Sequence, residues 1–137
     1  MFFDKKNDKN KNSYLIKIAA LLIHAAKIDE KYSEEEEEII RKTLLDLGAK
    51  QKELDQLVIN AKKSEVESNQ ILDFTREIKN MDEKEKIKIV ESLWRIIFSN
   101  KDADMYETNL MRRLSGLLYI DSKTMGYIKE KIKNENL

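Results

Sequence analysis

No proline occurs in this chain of 137 residues, and glycine occurs three times, at Gly48, Gly116 and Gly126. These two residues are the strongest local breakers of regular backbone, so long uninterrupted segments joined by short loops are expected. Apolar residues recur at spacings of three and four, and no segment alternates apolar and polar residues for long enough to make a strand. The pattern predicts an all-α fold of about seven helices in a compact bundle.

The helix boundaries follow from capping chemistry. Residues 1–12 carry Lys, Asn and Asp without apolar periodicity after Phe2 and Phe3, and read as a flexible N-terminal tail. One domain is expected over 13–137. Ser13 would cap a first helix reaching about 27, with Leu15, Ile18, Ala19, Leu22 and Ala26 along one face. Ser33 and Glu36 form an S-x-x-E capping box, and Gly48 supplies a left-handed stop, so a second helix is expected over 33–48. Further helices are expected over about 50–67, 69–79, 83–99, 104–119 and 121–133. Asp82–Glu85 and Asp104–Glu107 have the spacing of two more boxes, and Asp121 caps the last helix.

Two stretches look like copies of one unit. An offset of 71 places Asp29 on Asn100, Ser33 on Asp104, Glu36 on Glu107, Leu22 on Leu93 and Arg41 on Arg112. Each copy is an apolar helix, a short polar loop and a second helix that opens with acidic residues. The period is too long for a solenoid unit, which falls at about 20–50 residues. It predicts a pseudo-twofold domain of two helix–loop–helix halves.

Composition removes several function classes. There is no cysteine, hence no disulfide, thiolate nucleophile or cysteine-held metal. The 26 basic residues balance the 26 acidic ones, so no global field draws the chain to nucleic acid. The longest apolar stretch, 18–26, is interrupted by His24 and falls far short of the ~20 residues that span a bilayer. The N-terminus lacks the apolar core of a signal peptide, and a cytoplasmic location is expected. Peripheral membrane contact through Phe2 and Phe3 stays open as an alternative.

The second half carries Phe74-Thr75-Arg76, Glu91-Ser92-Leu93-Trp94-Arg95, Asp104-x-Tyr106-Glu107, Arg112-Arg113-Leu114 and Gly116-Leu117-Leu118. These ordered motifs resemble the TerB-like family, the tellurite-resistance protein B group, over about residues 14–131. The resemblance implies an all-helical domain associated with tellurite resistance, stress response and membrane-linked complexes. It also implies a metal-ion role for acidic loops that usually read A-D-G-x-x-D-x-x-E. This chain departs from that pattern. Glu30 and Lys101 stand where glycine is usual, Ser33 where aspartate is common, and Asn100 where aspartate is usual.

Two readings of the acidic loops follow. As a hard-cation site, Asp29, Glu36, Asn100, Asp104 and Glu107, with Ser33, would offer oxygen ligands to Ca2+ or Mg2+. As caps, the same residues satisfy the free amides of a helix start. Asp82–Glu85 repeats the spacing with no acidic loop before it, Lys31 and Lys101 repel a cation, and no EF-hand pattern is present. Capping is therefore the preferred role, and no cofactor is expected.

Glu34 to Glu38 is a run of five glutamates and reads as a solvated face. Arg76, Arg95, Arg112 and Arg113 are expected to balance it within the fold. His24 has no partner at a catalytic or zinc-binding spacing, and Trp94 falls in an apolar stripe. No phosphate loop, nucleophile elbow or H-E-x-x-H motif occurs. The expected function is a non-enzymatic interaction module whose acidic loop face meets a protein partner. A divalent-metal-binding protein is the alternative, and a hydrolase using the same carboxylates is the weaker one.

Overall fold

The computed structural model describes residues 2–27, 33–68, 71–99 and 105–135; the side chains of 2–11 and 105–108 lie outside that description. Among the described residues the chain forms seven α-helices and no strand. They are α1 Phe2–Ala26, α2 Glu34–Asp46, α3 Leu54–Glu67, α4 Leu72–Ile78, α5 Glu83–Ser99, α6 Met105–Leu117 and α7 Ser122–Glu135. A 3-10 turn, Gln51–Glu53, leads into α3.

The first helix starts earlier than its sequence suggests. Ser13 lies inside α1 and does not cap it. Residues 4–12 contain no proline or glycine, so their backbone can continue a helix with no apolar stripe to announce it. The apolar end of α1 is also buried on more than one face. Ala19, Ala20, Leu21, Leu22, Ile23, Ala25 and Ala26 are all in the core, and only His24 in that stretch is half-exposed. A helix apolar all round is one surrounded by neighbours, and α1 packs against α2, α3, α4 and α5. Around this axis, α5 joins α2 and α7, and α6 meets α4 and α7.

Two helix ends close in the same way. After α2, the Ala49 amide donates to the Leu44 carbonyl (2.9 Å) and Gly48 to Leu45 (3.0 Å), with Gly48 at φ 105°. This pair of bonds is a Schellman motif, which needs a left-handed residue at its turn. After α6, the Ile120 amide donates to Ser115 (3.0 Å) and Tyr119 to Gly116 (3.3 Å), with Tyr119 at φ 58°. Tyr119 stands 71 residues after Gly48 and takes the conformation that glycine adopts more cheaply. Lys86, nearly buried, donates Nζ to the Leu118 carbonyl at 3.1 Å. Its ammonium also lies 6.0 Å from the centre of the Tyr119 ring. A cation at a helix C-terminus meets the free carbonyls and the negative end of the dipole.

Among the described residues, no helix is long and apolar enough to cross a membrane.

Candidate functional site

The expected site centres on the start of α2. Ser33 sits there in extended backbone (φ −90°, ψ 162°). Its hydroxyl accepts from the Glu36 amide at 3.1 Å. The Ser33 amide and hydroxyl each donate to Glu36 Oε1 at 2.9 Å. The box is thus complete, and Glu36 is buried in making it. Of the other expected ligands, Asp29, Asn100 and Asp104 lie outside the described residues. Glu107 lies in α6, with its side chain outside the description. Glu36 is therefore the one member of the set whose carboxylate is placed, and one of its oxygens is committed to the cap. Among the described residues, no three Asp, Glu or His side chains group as a metal site.

The glutamate run divides by face. Glu37 is half-buried and pairs with Lys62 (2.8 Å) and, one turn on, with Arg41 (3.7 Å). Arg41 reaches across to Asp55 at 2.7 Å. The cations that balance the run are thus Arg41 and Lys62, from α2 and α3. Arg95, expected in that role, instead grips Glu135 with Nε and Nη2 at 3.2 and 3.1 Å. These bonds hold the Glu135 carboxyl below the usual carboxylate range. Sequence spacing cannot reveal this choice, because α7 is brought to α5 only by packing. Glu34, Glu35 and Glu38 are exposed, and among the described residues none has a cation within ion-pair distance. They share one side of α2, because Glu38 lies four residues after Glu34 and three after Glu35.

The other candidates have quieter surroundings. His24 Nδ1 lies 3.4 Å from Glu65 Oε1, whose partner oxygen accepts from Lys27 at 2.8 Å. Trp94 is in the core, stacked on Phe98 with ring centres 5.6 Å apart. A cavity of about 420 Å3 between α1, α3 and α4 carries charges of both signs. Two of them already satisfy each other, Lys17 and Glu77 at 2.6 Å.

Four buried polar groups escaped the sequence reading, Thr75 in α4 among them. Thr43 and Ser92 bring their hydroxyls within 2.6 Å between α2 and α5. Lys86 is buried at the foot of α5. Two were detectable as polar residues standing in line with an apolar stripe: Lys86 one turn before Ile89 and Val90, and Ser92 between Ile89 and Ile96.

The family model described as "Tellurite resistance protein TerB" matches residues 15–130. The chain belongs to the TerB family. No curated protein and no solved structure matches it.

Proposed function

We propose that the chain acts as a protein-interaction module without catalytic chemistry, in a stress or tellurite-resistance system, with the acidic face of α2 as its contact surface. The observation that supports this reading is the pairing pattern within the glutamate run. Glu36 is used by the cap and Glu37 by Arg41 and Lys62, while Glu34, Glu35 and Glu38 face solvent. Like charges one turn apart, as Glu38 is from Glu34 and from Glu35, cost about 0.2–0.5 kcal/mol per pair, so these groups left together serve solubility or a basic partner better than they serve the fold. The capping box and the two ion pairs hold this face rigid, which lowers the entropy lost when it docks.

The test is capture with the whole chain against a Glu34→Lys/Glu35→Lys/Glu38→Lys variant, from lysates of tellurite-stressed cells. The native chain is expected to retain a defined basic partner that the variant loses. Binding should also weaken as salt rises from about 0.1 to 0.5 M, where charges are screened over shorter distances. Equal capture by both chains, at the same salt, would sink the reading.

A further inference from the structure

The core tryptophan borders a second cavity. It measures about 220 Å3 and lies between α5, α6 and α7, lined by Trp94, Met111, Arg112, Met125 and Lys129, with Ser122 and Gly126 among its remaining neighbours. Three features set it apart. Trp94 is only 4% exposed, yet its indole Nε1 has no hydrogen-bond partner among the described residues. A buried donor left unpaired is uncommon in folded proteins. Lys129 Nζ stands 5.5 Å from the centre of the Trp94 ring. Arg112 is exposed, and no described carboxylate pairs with it or with Lys129. Among the described residues no carboxylate lines the cavity, in contrast to the larger one beside Lys17. Among the described lining residues the polar groups are therefore an indole N–H, a guanidinium, an ammonium, the Ser122 hydroxyl and the Ser115 hydroxyl, which donates to the Ile120 carbonyl at 2.6 Å. The first three can only donate.

We propose that this cavity binds a small organic carboxylate, with its apolar body against Met111, Met125 and the Trp94 ring and its anionic group met by Arg112 and Lys129. The apolar walls choose a ligand with a hydrocarbon part over a bare inorganic anion. The two cations, unpaired among the described residues, choose an anion over a neutral molecule. The volume, below the ~300–1,000 Å3 of pockets for drug-sized ligands, limits that body to one ring or a short acyl chain. Methionine walls adapt to either.

Trp94 is the single tryptophan of the chain, so one indole resonance reports on the site. The experiment is an 15N NMR titration of the whole chain with phenylacetate, hexanoate and the neutral phenylacetamide. Either acid is expected to move the indole N–H signal to saturation at millimolar concentration, and the amide to bind about tenfold more weakly or not at all. Arg112→Gln with Lys129→Gln should weaken the acids by about tenfold or more. Gly126→Leu is the second variant. A Cβ on Gly126 meets nothing within 4 Å, so the helix accepts the side chain while the cavity fills, and binding should vanish with the amide spectrum otherwise kept. No saturable movement up to about 10 mM acid, equal response to acid and amide, or binding untouched by the double variant would each overturn the proposal. None of these changes touches Glu34, Glu35 or Glu38, so the outcome is independent of the acidic-face reading.

Discussion

The contact between Thr43 and Ser92 gives a prediction that depends on counting protons. Both residues are buried, at 5% and 2% exposure. Thr43 Oγ1 lies 2.7 Å from the Ile39 carbonyl, Ser92 Oγ lies 3.0 Å from the Lys88 carbonyl, and the two hydroxyls are 2.6 Å apart. Three hydrogen-bond contacts thus share two protons, one per hydroxyl. Whichever hydroxyl donates across the α2–α5 interface gives up its own carbonyl. Thr43→Val leaves Ser92 free to donate to Lys88, and Ser92→Ala leaves Thr43 free to donate to Ile39. Neither single change strands a donor, so each costs the net worth of one hydrogen bond, about 1 kcal/mol, and not the several kcal/mol of an orphaned polar group. Replacing both partners with apolar groups of similar shape is nearly neutral, and alanine is the better helix former at 92. The double variant should lie within about 0.5 kcal/mol of the native chain, against about 2 kcal/mol if the single costs simply added, which is a coupling of about 2 kcal/mol. For a domain of this size 1 kcal/mol moves Tm by about 3–4 °C. Urea unfolding of the four proteins measures the cycle. If the two costs simply add, the hydroxyls do not share a bond and the proton count is wrong.

Glycine should separate by conformation. Gly48→Ala forces a side chain into φ 105° and should cost about 1 kcal/mol, whereas Gly116→Ala, within α6 and with open space at its Cβ, should gain about 0.5–1 kcal/mol by the same unfolding assay. The Asp121 carboxyl is held below its ordinary value mainly by the Thr124 amide, which donates to Oδ1 at 2.6 Å. A group with a lowered folded pKa adds stability above its unfolded value and loses it as pH falls through the folded one. Stability should therefore drop below about pH 4, and less steeply in Asp121→Asn, as Tm against pH will show. Because the Glu36 carboxylate is committed to its capping box, Tm is expected to stay constant with Ca2+ or Mg2+ up to about 10 mM. A saturating rise would restore the cation reading of the acidic loops.

What the sequence determined by itself was local. The absence of proline, the helical spacing of Ile89, Val90, Leu93, Trp94 and Ile97, the Ser33–Glu36 box and the Gly48 stop are each written within one or two turns of chain. They yielded the all-α class, the number of helices and most boundaries, because capping and amphipathic burial act over three to seven residues. The start of α1 was not legible, since a polar run without breakers can be helix or tail on local grounds alone. Tertiary structure decided everything that joins distant residues. It surrounded α1 so that Ala20, Leu21 and Ile23 are buried beside the expected face, and gave Arg95 to Glu135 and Glu37 to Lys62. It held Tyr119 in a left-handed turn beneath two lysines and left the Trp94 indole, among the described residues, unpaired beside a cavity. The partners in these contacts lie from 25 to 40 residues apart or on different helices. Which side chains meet across such distances is fixed by how helices pack, and a pattern that repeats every 3.6 residues does not encode it.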